Sequence, residues 1–145
     1  MQRFSHRSAV FLVLIRDNKI FLMRRAHTGW CDDHYDVPSG HIDGGEYLTV
    51  AVAREAHEEL GITFPPSAAQ LIHLAHFIDS KQEYLNAAFK VEEWEGEPQN
   101  MEPEKHDNLG WFDLDDLPEN LTPGTRAILE SYKAGNNYSE ITLEA

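Results

Sequence analysis

The chain begins with two runs of apolar residues separated by a polar turn. Residues 8–15 read SAVFLVLI and residues 19–25 read KIFLMRR, with Asp17 and Asn18 between them. A continuous apolar run of this length, bounded by turn residues, is typical of a strand buried on both faces. Asp and Asn tolerate the left-handed conformations of tight turns. The pattern therefore predicts a hairpin of two strands, at residues 8–15 and 19–25.

The rest of the chain alternates between loops, two helices and further strands. Residues 26–46 hold four glycines and many polar residues, which predicts a long structured loop of a kind that is uncommon unless it is functional. The other predicted elements are a helix over 47–60 that ends at Gly61, strands over 71–79 and 83–92, an acidic loop over 93–107, a short strand over 110–112 and a helix over 124–133. Strand pairs mixed with two separated helices predict a mixed sheet with helices on its faces, in an α/β or α+β domain.

Composition and charge narrow the class of protein and of partner. The 145 residues fit one domain over residues 1–145, and 41% hydrophobic with 26% charged residues is typical of a globular protein. A net charge of −13 argues against a nucleic-acid polymer as partner. A small phosphorylated ligand stays possible if a divalent cation stands between its charge and that of the protein. The single cysteine, Cys31, excludes an intramolecular disulfide and favours the cytoplasm.

The first residues show some likeness to a signal peptide. Arg3 and Arg7 precede the apolar run of residues 9–15, but the polar residues 16–19 follow at once, without a small-residue cleavage site. The run is also too short to span a bilayer. We expect a buried strand here and no membrane segment.

The helix over residues 47–60 carries an acidic arc that stability alone does not explain. Glu55, Glu58 and Glu59 fall within about 100° on one side of the helix. Like charges at this spacing repel, and the helix dipole disfavours anions in the last turn. Such an arc suits a hard divalent cation, most naturally Mg²⁺, with Mn²⁺ as the alternative. The competing interpretation is a solvated acidic face, because a bare ExxEE pattern is not specific.

The residues in front of the arc make the pattern specific. From Gly40 to Gly61 the chain reads GHIDGGEYLTVAVAREAHEELG, and Ile62 follows. This resembles the Nudix box, GX₅EX₇REUXEEXGU with U an aliphatic residue, at every fixed position; Ala56 is the smallest residue that fits a U position. The resemblance implies a loop–helix–loop on an α/β/α sandwich with a mixed sheet. It also implies a Mg²⁺-dependent hydrolase that cleaves a diphosphate bond.

The resemblance further implies roles for individual residues of the box. The implied catalytic set is Glu46, Arg54, Glu55, Glu58 and Glu59. The three glutamates of the arc would bind the metal, while Arg54 would pair with Glu46 to hold the loop against the helix. Many family members have Gly-Gly where this chain has Ser39 and Gly40. A main-chain carbonyl at that point would still be available as a metal ligand.

A second source of carboxylates lies in the acidic loop. Family members take the general base either from the box helix or from a glutamate on a later loop. Here Glu102 and Glu104 occupy that later loop, and both are candidate metal ligands. Glu104 is the closer of the two to the aromatic strand at Trp111 and Phe112, so we expect it to be the more firmly anchored.

The candidate contacts to a substrate are Arg25, His41 and Tyr84. Arg25 is preferred to Arg24 as a phosphate clamp because adjacent strand residues face opposite ways and only one can reach the site. A single histidine such as His41 more often has a structural role. The aromatic candidates for stacking on a base, each alternatively a core residue, are Trp30, Tyr35, Phe77 and Tyr84.

Markers downstream of the box favour a nucleoside triphosphate as substrate. The proline typical of ADP-ribose hydrolases and the tyrosine typical of dinucleoside polyphosphate hydrolases are both missing near Ile78. The chain therefore resembles the MutT-type group, which cleaves nucleoside triphosphates to monophosphate and pyrophosphate. Asn120 resembles a base-reading Asn of that group, although its spacing in the sequence differs by one residue. The alternatives are another nucleoside diphosphate derivative, such as a nucleotide sugar, and a non-catalytic nucleotide-sensing module. Such modules usually lose box glutamates, which this chain keeps. A homodimer is left open.

Overall fold

The computed structural model describes residues 2–143, so Met1, Glu144 and Ala145 of the predicted domain lie outside the described residues. The strands are β1 (Arg7–Arg16), β2 (Lys19–Arg25), β3 (Tyr35–Asp36), β4 (Ser39–His41), β5 (Gln70–Ile78), β6 (Glu83–Val91), β7 (His106–Asp113) and β8 (Tyr138–Thr142). The helices are α1 (Leu48–Leu60) and α2 (Pro123–Lys133), with a 3₁₀ turn at Pro66–Ala68. Neither α-helix in this part of the chain is long and apolar enough to cross a membrane.

The strands form one mixed sheet in which β1 is the central connection. β1 pairs antiparallel with β4 through residues 9–11 and with β2 at its end, and it pairs parallel with β6 over residues 7–14. β5 continues the sheet antiparallel to β6, and β8 adds to β5 in parallel at the edge. On the other side, β3 and β7 both pair with β2. The mixed sheet predicted from the sequence is confirmed.

The two helices cover opposite faces of this sheet. Side chains alternate along a strand, and in β1 both sets are buried. Val10, Leu12 and Leu14 pack into one cluster with the apolar side of α1. Val13 and Ile15 pack into a second cluster with the apolar side of α2. This arrangement is the α/β/α sandwich that the sequence resemblance implies.

The hairpin and the box helix lie close to their predicted bounds. Asp17 and Asn18 have φ angles of 53° and 60°, as a two-residue hairpin turn requires. α1 starts one residue later than predicted and ends at Gly61, whose φ of 72° places it in the left-handed region. The N–H of Gly61 donates to the carbonyl of His57, which is the expected helix cap. The helix prediction is therefore confirmed.

Three parts of the sheet differ from the predictions. The stretch 26–46 is not only loop, since it contains β3 and β4, and β7 starts at His106 instead of residue 110. β8 was not predicted at all. β3 and β4 have two and three residues, which is too short for a period of two to be visible. β8 is an edge strand of alternating exposed residues, and its partner β5 is distant in the sequence.

Candidate active site

Arg54 lies among four carboxylates, those of Asp43, Glu46, Glu55 and Glu58. Its Nη2 and Nε donate to the two carboxylate oxygens of Glu46 at 2.6 and 3.2 Å. Its Nη1 donates to Glu55 at 2.9 Å and to Glu58 at 3.4 Å. The hydrogen bond with Glu46 raises the pKa of Arg54 and lowers the pKa of Glu46. The loop that carries Glu46 is thus fixed to α1 by a bidentate ion pair.

Glu55 lies between Arg54 and the backbone of Gly40. A Cβ atom at Gly40 would overlap the carboxyl group of Glu55, so this position needs a residue without a side chain. Pairing of β4 with β1 holds Gly40 in place. Only 14% of the Glu55 side chain is exposed, and burial raises the pKa of Glu55, although Arg54 opposes this effect.

Glu59 is the most buried glutamate of the box. Its exposed fraction is 8%, and its Oε2 has no hydrogen-bond partner among the described residues. Burial, assisted by the charges of Glu55 and Glu102, raises the pKa of Glu59 to about 9. A buried carboxylate without a partner is costly unless a proton or a cation neutralises it. Glu59 is therefore well suited to hold a cation.

The donors around Glu59 fit a hard divalent cation. Glu55 and Glu102 are both close enough to affect the charge state of Glu59, and Glu58 is more exposed and contacts Arg54. Within residues 2–143, no three His, Cys, Asp or Glu side chains converge into a complete ligand set. Mg²⁺ does not need one, since it is usually bound by one or two carboxylates and completes its shell with water and substrate phosphates. The carboxylate oxygens present here match that preference.

The loop after β6 folds over the end of α1. The backbone N–H of Gln99 donates to the carbonyl of Leu60, and that of Met101 donates to the carbonyl of Glu59. These carbonyls belong to the last turn of the helix and have no partner within it. The loop thereby satisfies the helix end, and it brings the following residues next to the box glutamates.

Glu102, and not Glu104, is the anchored glutamate of this loop. The N–H of Glu102 donates to Oδ1 of Asn100, and the carbonyl of Glu102 accepts from the N–H groups of Lys105 and His106. Glu104 is exposed in the turn between these residues. The expectation that Glu104 is the more firmly anchored of the two is therefore wrong. Nearness to β7 in sequence puts Glu104 on an exposed turn, whereas the Asn100 side chain fixes Glu102.

A cleft of about 960 Å³ opens beside these carboxylates. Ser39, Gly40 and Glu59 line one part of it, and three basic side chains also contribute to its walls: Arg25, Lys81 and Lys105. Three acidic side chains, Asp36, Glu59 and Asp79, line the same cleft, so an anionic ligand there would be held by the basic side chains together with a cation. We refer to this cleft below as the main cleft.

The main cleft brings together most of the predicted substrate contacts. Arg25, His41 and Tyr84 line it, as do Trp30 and Phe77. Arg25 stacks over the Trp30 ring at 4.9 Å and donates through Nε to the Trp30 carbonyl at 2.8 Å. Arg24 is absent from the lining and pairs with Asp107 at 2.8 Å. The alternation argument that favoured Arg25 over Arg24 agrees with this placement.

Two other candidates do not line the main cleft. Tyr35 is buried in the core, where its ring packs edge-on against Phe112 and its hydroxyl accepts a hydrogen bond from Asn108. Stacking of Tyr35 on a base is therefore excluded by its position. The side chain of Asn120 donates to the carbonyl of Asp33. It stabilises the loop after β2, so the resemblance to a base-reading Asn is not supported by its contacts.

Sequence reasoning missed several titratable residues of the main cleft, and Asp36 and His106 are the two that are buried. Asp36 is buried and accepts hydrogen bonds from the hydroxyls of Thr122 and Thr125, with Arg25 Nη1 3.5 Å away. Burial raises the pKa of Asp36, and burial lowers the pKa of His106, which also lines the cleft. One signal was available, since Asp36 is a charged residue between two apolar neighbours. His106 offered none, because it sits in a polar segment.

Comparison with known proteins defines the class. The family model described as NUDIX domain matches residues 5–132. This chain therefore belongs to the Nudix family, and its relatives place it among the MutT-like hydrolases. Nudix hydrolases generally use divalent metals, which agrees with the carboxylate chemistry around Glu59.

Relatives and solved structures support this assignment. The chain is 33% identical to the 8-oxo-dGTP diphosphatase of Escherichia coli (strain K12), in a match that covers 76% of this chain and 85% of the relative. It is 32% identical to the RNA pyrophosphohydrolase of Caulobacter vibrioides (strain NA1000 / CB15N), covering 89% and 84%. The crystal structure of a MutT Nudix hydrolase from Burkholderia pseudomallei matches with a TM-score of 0.80 and 34% identity, covering 88% of this chain and 98% of that one.

Proposed function

We propose that this Nudix hydrolase cleaves a nucleoside triphosphate, natural or modified, to the monophosphate and pyrophosphate with the help of Mg²⁺. The observation that carries the proposal is Glu59, a buried carboxylate with an unpartnered oxygen at the wall of a cleft lined by three basic side chains. The similarity to an 8-oxo-dGTP diphosphatase supports this substrate class. We place the reaction in the cytoplasm because the single cysteine cannot form an intramolecular disulfide.

Glu55, Glu59 and Glu102 are the side chains that would hold the cation, together with a backbone carbonyl at Ser39 or Gly40. When bound, such a cation stabilises charge on phosphate oxygens and lowers the pKa of a water molecule. Arg54 keeps Glu55 oriented, because its guanidinium binds Glu55 and Glu46 at once. Glu58, which the sequence also nominates as a ligand, is in the same helix turn but more exposed.

The chain's other residues would position the substrate and move the proton. Arg25 and Lys105 would bind phosphate oxygens, since both line the main cleft. A water oxygen forms a bond to phosphorus, the bond from phosphorus to the bridging oxygen breaks, and pyrophosphate leaves. We assign Glu102 as the acceptor of the water proton, because it is anchored by Asn100 and its side chain is 25% exposed.

A substrate panel at fixed Mg²⁺ tests the proposal. The panel contains the common nucleoside triphosphates, 8-oxo-dGTP, a nucleotide sugar, ADP-ribose and a 5′-triphosphate RNA, and release of pyrophosphate and phosphate is followed separately. We expect fastest turnover with a nucleoside triphosphate, releasing pyrophosphate, and almost none from Glu59→Gln. Fastest turnover of the nucleotide sugar or of the RNA would show that the proposed substrate class is wrong. Nucleotide binding without turnover of any compound would indicate a sensing module.

A further inference from the structure

Three neighbouring strands form part of the lining of the main cleft. Asn86 lies on the middle strand, β6, and pairs in register with Ala9 of β1 and Ala75 of β5. Phe77 and Tyr84 form an adjacent cross-strand pair on the same face. Because both direct neighbours of Asn86 are alanines, no large side chain stands beside its amide on the sheet. Asn86 lines the cleft, so a ligand there can reach it.

The amide of Asn86 is buried without full hydrogen bonding. Its exposed fraction is 7%, and Oδ1 is one of three buried side-chain atoms in residues 2–143 without a partner, beside one atom each of Glu59 and His73. Folded proteins satisfy nearly all buried polar groups, because an unpaired one loses its hydrogen bonds with water. Leu has a similar shape and would have no such cost. The fold therefore does not explain why an amide is present at this position.

The surroundings of Asn86 suit the flat ring of a nucleobase. Phe11, Phe77 and Tyr84 supply aromatic surface in the cleft. Gly124 lies against the Phe77 ring, where an added Cβ would come within 3.4 Å, so this wall carries no side chain that would narrow the cleft. Phosphate oxygens are acceptors and cannot satisfy an acceptor such as Oδ1. A carboxamide instead pairs with a base edge, which places donors and acceptors side by side.

We propose that Asn86 reads the base of the nucleotide substrate by accepting a hydrogen bond from a donor on the base edge. The proposal rests on the proposed function, since it assumes that the phosphates lie towards Glu59. It makes Asn86 a specificity-determining residue with no part in the hydrolytic step. The amide belongs to a sheet position, held by β1 and β5 on either side, so it is presented with little freedom to move.

The test is calorimetric binding of nucleoside 5′-monophosphates and of ribose 5-phosphate, a base-free control, in the presence of Mg²⁺. We expect the wild-type protein to bind its preferred nucleotide at least about tenfold more tightly than ribose 5-phosphate, as one good amide–base pair provides. Asn86→Leu should reduce that ratio to below about threefold, with an unchanged or higher Tm. The control Gln70→Leu removes an exposed amide at the start of β5, outside the cleft, and should keep the wild-type ratio.

Two results would overturn the assignment of Asn86. One is a wild-type protein that binds ribose 5-phosphate as tightly as every nucleotide. The other is a variant that keeps the wild-type ratio. Asn86→Ala covers the case in which Asn86→Leu does not fold, because it also removes Oδ1 and should reduce the ratio in the same way. Binding is measured without turnover, so the two proposals can fail separately. If the protein hydrolyses no nucleotide but its base preference still depends on Asn86, the proposed reaction is wrong and the role of Asn86 is kept.

Discussion

Gly40 and Glu55 occupy adjoining space, and a Cβ atom on Gly40 would overlap the Glu55 carboxyl group. The φ of Gly40 lies outside the left-handed region, so the position requires glycine for space and not for backbone freedom. The carboxyl group of Glu55 is at the end of a flexible side chain, so it can move aside if Gly40 is replaced by alanine. The chain would then keep its fold and lose the orientation of a proposed metal ligand.

Gly40→Ala is therefore expected to lower kcat by roughly 100-fold, because small displacements of groups at a reacting centre have effects of this size. The Tm should change little. Gly110→Ala is the matched control, since the nearest atom to its added Cβ is on Phe112 at 3.9 Å, an ordinary contact. Steady-state kinetics and thermal melts of both variants provide the measurement. Equal kcat values for Gly40→Ala and the wild type would show that Glu55 has no catalytic importance.

The raised pKa of Glu59 predicts how the stability of the metal-free protein depends on pH. The native pKa of about 9 lies above the ordinary value of 4.5, so the native state keeps a proton that the unfolded state loses. The free energy of unfolding should therefore decrease, through Glu59, as pH rises from about 4.5 to about 9. Glu59→Gln removes this effect. In EDTA, its Tm should match the wild type near pH 5 and exceed it increasingly towards pH 8.

Glu58→Gln is the control for that experiment. It makes the same change of charge on the same turn of α1, but more than half of the Glu58 side chain is exposed. Its Tm difference from the wild type should not widen in the same way over this pH range. If Glu59→Gln melts below the wild type at pH 8, Glu59 supports the fold, and the cation-binding assignment loses its physical basis.

Glu102 and Glu104 form a matched pair for locating the proposed base. Glu102→Gln should lower kcat at least about tenfold, equivalent to about 1.4 kcal/mol of transition-state stabilisation. Glu104→Gln makes the same chemical change two residues away in an exposed turn, and it should keep near-wild-type kcat. The measurement is steady-state kinetics at saturating Mg²⁺. A larger loss in Glu104→Gln would reverse the assignment, and no loss in either would move the base to α1, with Glu55 as the candidate.

The pairing of Arg54 with Glu46 predicts non-additive mutations. Arg54→Ala and Glu46→Ala should each reduce kcat/KM, since either one releases the loop from the helix. Because both remove the same bidentate contact, the double mutant should lose less than the sum, by about 0.5–3 kcal/mol. Additive losses would mean that the two side chains act independently in solution.

The parts of the fold that could be predicted from sequence are those with a long or specific pattern. The apolar run of β1 predicts a buried strand, and the row of apolar residues on α1 predicts a helix with one buried face. Gly61 predicts the residue at which that helix ends. β3 and β4 could not be found in this way, because their strand character comes from pairing with β2 and β1. β8 depends on β5, which lies about 65 residues earlier.

The candidate site also has a part that a local sequence pattern predicts and a part that depends on distant strands. The box residues follow one another on a single loop and helix, so their spacing alone brings them together. Asp36, Asn86 and His106 come from three different strands, and only the sheet places them around one cleft. The expectation that Glu104 is the better anchored of the two missed one contact, in which the Glu102 N–H donates to Oδ1 of Asn100. No local pattern distinguishes the two glutamates.

Phosphorus NMR of the products formed from the best nucleoside triphosphate is the most direct measurement of the central claim. With Mg²⁺ the wild-type protein should convert the triphosphate into monophosphate and pyrophosphate, and excess EDTA should stop the reaction. The Glu59→Gln variant should leave the triphosphate spectrum unchanged over the same time. Formation of nucleoside diphosphate and free phosphate, or undiminished turnover in EDTA, would contradict a cation-dependent cleavage that releases pyrophosphate from this site.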